Sequence, residues 1–407
     1  MQVRARELFE GLVGRRSGIV RQVALVDTFD GDAPLFHAGA QIANVHARLH
    51  QKHSGLGVGG AGHTRDEAIV TALCEGVERY AAACYDRDAL LLATYAELGD
   101  RAIDPRTFVP FTTAQRASSH FALEPLDVDT PLRWVRGEVL GTREPVLVPA
   151  FAVYIPYVHA LPEPLLGIGL TTGLACAPTL AMAEEKALYE VLERDALALT
   201  FLLGATPPRL ERELPRELLP PRDRVDAFDL TTDLGVPAYF VRCIGEGPRG
   251  QLVTVGAACH PDPEQALRKA CIEASQDRVY VRMLLDRDPD WAPAHDFRNL
   301  TDFEKHARTY SGRPALAMRG LGFLDGGPAS APRKQRPLPR AIGVDLTPPW
   351  AAALGLHVAR VVVPELMPLH GDHTMRVLGH PRLRPESLPY HTIGHEQRIW
   401  PYPHPMP

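Results

Sequence analysis

The stretch Thr71-Ala72-Leu73-Cys74-Glu75-Gly76-Val77-Glu78-Arg79, together with Tyr189-Glu190-Val191-Leu192-Glu193-Arg194, decides how this chain is read. Both carry Glu-x-x-Glu-Arg inside an apolar helical pattern. Ala68, Ile69, Val70, Leu73 and Val77 surround the first copy, and Ala187, Leu188, Val191, Leu192 and Leu197 the second. On a helix, residues three and four apart share a face, so each copy points two carboxylates and a guanidinium the same way. A single such motif is most often an exposed salt-bridge ladder. Carboxylates removed from water are costly unless a cation compensates them, and two copies in largely apolar helices point to a shared cation. Mg2+ carrying a phosphorylated ligand is the economical choice, because it takes a few carboxylates together with substrate phosphates.

Working outward, the glycine-rich Gly55–Gly62 stretch leads into the first signature helix. Thr64 followed by Glu67 is a capping box and predicts a helix over 65–85, while Thr179 can cap the second over 180–203. Segments 133–137 and 146–149 read as one hairpin, and 237–244 with 251–256 as another. Asp262-Pro263 opens a third helix reaching Leu285. Strands at 341–346 and 357–363 bracket a short helix over 349–354. The Pro-rich 206–222 reads as a surface connection and 323–340 as a mobile loop. The expected organisation is a strand-containing lead-in over 1–54 and one main domain over 55–407, of α+β class with antiparallel hairpins and packed helices.

The bulk composition is that of an ordinary globular protein: 407 residues, 45% hydrophobic and 23% charged. A net charge of −5 gives no electrostatic footprint for nucleic acid. No apolar run reaches transmembrane length, and Met1-Gln-Val-Arg-Ala-Arg is not followed by a signal-type apolar region. Six cysteines without a Cys-x-x-Cys pair fit reduced, packed thiols and a cytoplasmic setting.

These ordered elements resemble the YcaO family. The resemblance spans about 18–407 and rests on Thr71, Glu75, Glu78 and Arg79 after the glycine-rich lead, then Gly173-Leu-Ala-Cys-Ala-Pro and Glu190-x-x-Glu193-Arg194-Asp195. It continues through Glu273-Ala-Ser-Gln276-Asp-Arg278, Asp345-Leu-Thr, Val361-Val-Val-Pro and the closing Pro401, Pro403 and Pro405. The tail is most similar to members that form thiazolines and oxazolines. The resemblance implies an Mg2+–ATP-dependent cyclodehydratase. A Cys, Ser or Thr side chain of a precursor peptide attacks the preceding amide carbonyl, the resulting oxygen is phosphorylated, and phosphate elimination leaves an azoline. It further implies Glu75, Glu78, Glu190 and Glu193 around Mg2+, and Thr71, Arg79, Arg194, Gln276 and Arg278 around the nucleotide. Pro403, Pro405 and Pro407 would shape the reaction centre, with the Pro407 carboxylate as proton acceptor.

The implied partners are the precursor peptide and a separate leader-peptide-binding protein, since no long N-terminal extension is present for a fused one; a homodimer is left open. Three positions depart from the family pattern. Met182 stands where an acid is usual, which a water, or Glu185 through a shifted helix register, could replace; Val58 stands for Lys in Gly-Lys-Gly; and Ala177 stands for Gly before Pro178. The alternatives are a thioamide-forming enzyme on the same scaffold and a non-catalytic nucleotide-binding subunit.

Three further patterns invite other readings. Gly57–Gly62 satisfies Gly-x-Gly-x-x-Gly, yet Arg48–His53 before it is no buried strand, so the stretch reads as a flexible anion-binding loop at a helix N-terminus. His370-Gly-Asp-His373 and His391-x-x-x-His395 have metal-like spacings but lie in loop-like sequence, and read as structural or solvated.

Overall fold

The structure, a computed structural model, describes residues 2–44, 57–118, 121–166, 169–247, 249–327, 335–394 and 398–407. The chain forms two compact units. One takes Met1–Val26, Phe36–Val191 and Pro339–Glu365; the other takes Asp27–Leu35, Leu192–Leu338 and Leu366–Pro407.

In the first unit, α1 (Gln2–Leu12) precedes an antiparallel sheet of β1 (Val20–Val26), β2 (Phe36–Ile42) and β3 (Gly57–Gly62), on which α2 (Arg65–Ala81) packs. The lead-in is therefore not set apart at residue 54. Its two strands need the edge of β3 and the apolar face of α2 to bury Val20, Ala40 and Ile42. The glycine-rich stretch is a strand, not the flexible loop expected from its composition; its first residues, Gly55 and Leu56, lie outside the described residues. Glycine serves here for close approach. A Cβ on Gly60 would run into the backbone of Ala68 and Ala72, and one on Gly62 into Glu67. Val58, two residues before Gly60, points into the core.

The Thr64–Glu67 capping box forms as expected and starts α2, which ends at Ala81. A second antiparallel sheet of this unit runs in the order β4 (Leu91–Thr94), β5 (Pro131–Val139), β11 (Ile342–Asp345), β12 (His357–Val362), β7 (Leu174–Ala177), with β6 (Pro145–Pro149) also on β5. After β7 the chain enters α3 (Leu180–Leu202), where the Thr179 hydroxyl accepts the Met182 N–H at 3.2 Å. The boundary between the units falls within this helix, between Val191 and Leu192.

The second unit carries the antiparallel sheet β8 (Arg224–Asp229), β9 (Ala238–Gly247), β10 (Gly250–Cys259), covered by α4 (Pro263–Arg287). Asp262 caps α4 by accepting the N–H groups of Glu264 and Gln265. Sequence pattern anticipated β9, β10 and α4 but not β8, whose inward Asp226 breaks the apolar alternation and pairs with buried Arg242 at 2.7 Å. The Pro-rich 206–222 is not wholly a surface connection: Leu218 and Leu219 are buried in the core under α4. Of the loop expected over 323–340, Phe323 and Leu324 are buried within a short 3-10 turn, and 328–334 lie outside the described residues. Two further helices, α5 (Phe303–Arg308) and α6 (Pro314–Leu321), complete this unit.

Candidate functional site

Each signature helix follows a strand, and the first glutamate of each motif is held by a glycine N–H from the segment ahead of its helix. Gly59, in β3, donates to Glu75 Oε2 at 2.9 Å, and Gly173, just before β7, donates to Glu190 Oε2 at 3.0 Å. Gly173 has φ +82°, and a Cβ there would collide with the Val361 carbonyl, so no other residue fits. The other Glu75 oxygen accepts Arg79 Nη2 at 3.4 Å.

Glu78 is different. It is 9% exposed, and its one ion-pair partner among the described residues is Arg79, at 3.8 Å. Burial raises its carboxyl to a pKa of about 8, against the pull of Arg79 and with a further push from the Glu190 and Glu75 charges; Lys186 draws it down slightly. Arg360, on β12, is buried beside the same cluster. Loss of hydration lowers its guanidinium to about 10, while the Glu190 and Glu78 charges hold it up. Its Nε donates to the Ala152 carbonyl at 3.2 Å. The Nη1 atoms of Arg79 and Arg360 are both buried without a hydrogen-bond acceptor. The first unit thus gathers three carboxyls, Glu75, Glu78 and Glu190, with two guanidiniums that each keep one buried Nη1 without an acceptor.

The sequence reading missed Arg360. The available signal was a lone arginine within the apolar run His357-Val-Ala-Arg-Val-Val-Val, a charge that a buried strand does not carry without reason.

Other anticipated residues lie elsewhere. Thr71 is exposed, its hydroxyl donating to the Glu67 carbonyl at 2.9 Å. Met182 is half-exposed, and α3 keeps its register, so Glu185 does not stand in for the missing acid. It lies on the exposed side and accepts the Tyr189 hydroxyl at 2.6 Å, while Glu184 is clamped by Arg143 at 2.7 and 2.6 Å. Glu193, Arg194, Gln276 and Arg278 belong to the second unit. There Glu193 is buried with Arg194 Nε at 3.5 Å, and Gln276 is half-buried on α4. Arg278 is committed to Asp223 at 2.6 Å, Asp32 at 3.0 Å and the Glu246 carbonyl at 3.1 Å. Asp195, beside the second motif, is fully buried and forked by Arg382 at 2.7 Å. In the tail, Pro403 and Pro405 are buried and Pro407 is exposed. Of the pair read as structural or solvated, His370 and His373 are not solvated: both are buried and brought against His306 of α5. Of the second histidine pair, His391 is exposed and His395 lies outside the described residues.

The clustered carboxyls and buried guanidiniums sit on a mixed α+β fold. Residues 59–367 match the family described as YcaO cyclodehydratase, ATP- and Mg2+-binding. The chain belongs to this family. An uncharacterised protein of Methanothermobacter thermautotrophicus is 30% identical over 235 residues, which are 54% of this chain and 56% of that protein. The chain thus spans little more than half of that relative. Among solved structures, a heterocyclase in complex with substrate and cofactor superposes with a TM-score of 0.71 at 21% identity, covering 99% of this chain and 57% of the other. The YcaO protein of Methanopyrus kandleri bound with AMPPCP and Mg2+ superposes with a TM-score of 0.61 at 21% identity, covering 90% and 91%. No helix among the described residues is long and apolar enough to cross a membrane, and all six cysteines are free thiols.

Proposed function

We propose that this chain uses Mg2+–ATP to activate backbone amides of a ribosomal precursor peptide, closing Cys, Ser or Thr side chains onto the preceding carbonyl as thiazolines or oxazolines. The observation that carries the reading is the double deficit of the first unit. Glu78, pushed to about 8 among Glu75 and Glu190, lacks a hydrogen-bonded cation among the described residues, its ion-pair partner Arg79 standing 3.8 Å away, and the buried Nη1 atoms of Arg79 and Arg360 lack a hydrogen-bond acceptor. A metal–nucleotide complex brings both. Glu75, Glu78 and Glu190 fit the metal, and Arg79 and Arg360 fit phosphate oxygens, for which guanidinium forks are suited. When bound, Mg2+–ATP supplies the phosphoryl group that turns the amide oxygen into a leaving group. The chain's own contribution is positioning: glycine N–H groups fix Glu75 and Glu190, and the buried guanidiniums present fixed charge in a site of restricted solvation.

On the family resemblance, Glu193 is proposed as a further ligand, and Thr71, Arg194, Gln276 and Arg278 as nucleotide residues. Pro403, Pro405 and Pro407 are proposed to shape the reaction centre. A separate leader-binding protein is proposed to deliver the peptide. The test is mass spectrometry of candidate precursor peptides incubated with the chain, its partner and Mg2+–ATP. Loss of one water per ring, dependent on Glu78 and ATP, is the expected result. Exchange of oxygen for sulfur would assign the thioamide chemistry instead. An unmodified peptide despite nucleotide binding would support the non-catalytic subunit.

A further inference from the structure

The second unit contains four buried imidazoles that the nucleotide reading does not use. His306, His370, His373 and His404 are all 5% exposed or less. His306 comes from α5, His370 and His373 from the turn after Leu369, and His404 from the tail. The ring centroids of His306, His370 and His373 lie 5.5, 5.8 and 6.0 Å apart, and one nitrogen from each falls within 4.8 Å of the others.

We propose that His306, His370 and His373 form a binding site for a divalent transition metal of the zinc type. The hydrogen bonds around the cluster sort the nitrogens into held and free. His306 Nδ1 is 2.9 Å from the His404 carbonyl, which fixes the proton on that nitrogen and leaves Nε2 as a lone pair with no partner. His373 hydrogen-bonds the Pro401 carbonyl, and its Nδ1 is left without a partner. Neither ring nitrogen of His370 has one. Locking one nitrogen on a carbonyl while the other stays open is how proteins orient histidine ligands. His404 is not a ligand: its Nε2 donates to the His370 carbonyl at 2.8 Å, and its Nδ1 accepts the Met406 N–H at 3.2 Å. It stacks on His306 at 3.9 Å and steadies it.

Burial keeps all four rings neutral, the form in which imidazole binds metal. Arg376 opposes a bound cation, whereas the Asp302 and Asp372 charges favour one. Tetrahedral zinc with Zn–N near 2.1 Å needs ligand nitrogens about 3.4 Å apart. The nitrogens, now within 4.8 Å of one another, must therefore close by up to about 1.4 Å, with the fourth position left for water. A cluster of buried nitrogens without partners is costly as mere packing, because each unmade hydrogen bond leaves a desolvated polar atom unsatisfied. A filled site would also pin the tail, since the Pro401 and His404 carbonyls are held by its ligands and the Pro403 carbonyl accepts the Tyr310 hydroxyl at 2.5 Å.

The experiment is elemental analysis of the full chain purified from zinc-supplemented cells in excess Mg2+, which keeps the carboxylate cluster occupied. Protein from cobalt-supplemented cells is examined in parallel by visible absorption. One zinc per chain, and the intense absorption of tetrahedral nitrogen-ligated Co2+, are expected for the wild type. Both should be lost in His370→Ala and His373→Gln and kept in His391→Ala. Folded wild-type protein without stoichiometric metal would overturn the proposal even if the variants fail to fold. Metal retained in His370→Ala, or a weak octahedral spectrum, would overturn it as well. Nucleotide binding plays no part in either readout.

Discussion

Glu78 turns the proposed nucleotide site into a measurable proton switch. With a carboxyl pKa of about 8, roughly nine-tenths of the chains carry a proton on Glu78 at pH 7. A metal can use that carboxyl only once the proton has gone. Binding of preformed Mg2+–ATP at pH 7 should therefore release close to one proton, and at pH 9 about a tenth of one. Apparent affinity should rise by up to tenfold, about 1.4 kcal/mol, for each pH unit from 6 to 8, and level off above. Calorimetric titration in two buffers of different ionisation enthalpy counts the protons directly. Glu78→Gln keeps the shape and removes the titration, so it should bind more weakly with no proton release. No release by the wild type at pH 7, or equal release by Glu78→Gln, would refute the reasoning.

The same shift sets the sign of a stability effect. Glu78 holds its proton more tightly folded than unfolded, where the ordinary value is 4.5. Its contribution to stability is complete below pH 4.5 and is lost as pH rises to about 8, by at most about 5 kcal/mol. Saturating Mg2+–ATP should flatten that slope, and Glu78→Gln should abolish it.

Other substitutions separate the site from the scaffold. Arg360→Met removes a buried charge beside Glu190 and Glu78, and should weaken Mg2+–ATP binding by about 1–3 kcal/mol, read by the same titration. Gly60→Ala drives a methyl into the backbone of α2 and should cost about 2–4 kcal/mol, whereas Gly57→Ala meets open space and should stay within about 1 kcal/mol; urea unfolding distinguishes them. Asp195→Ala strips the buried Arg382 of its forked partner, leaving Asp233 and Thr232, and should destabilise the second unit by about 3–5 kcal/mol in the same assay.

What sequence revealed followed from local rules. The capping box at Thr64, the cap at Asp262 and the β5–β6 and β9–β10 hairpins are set by neighbours within a few residues, and pattern reading found them. Features set by distant partners escaped it. β3 is built mostly of glycine, whose reason is the closeness of α2 rather than any strand propensity. β8 hides behind Asp226, which reads as polar until Arg242 is placed beside it. Glu75, Glu78 and Glu190 were legible because they repeat at helical spacing on two helices. Arg360 was not, because one arginine in one strand has no periodicity. His306 lies more than sixty residues from His370, and no local spacing links them.

The repetition of the signature also explains why Glu78 carries the switch. Each copy places its first glutamate where a strand-side glycine N–H can reach it, and both Glu75 and Glu190 take that bond. Glu78, one helical turn further along α2, lies beyond the reach of β3 and meets only Arg79 among the described residues. Burial at Glu78 is therefore offset only in part, by Arg79, and the like charges of its two anchored neighbours press on it. Before a cation binds, a protonated Glu78 keeps three adjacent negative charges from meeting in the cluster. Its deprotonation in the presence of a divalent cation restores them where they can be neutralised.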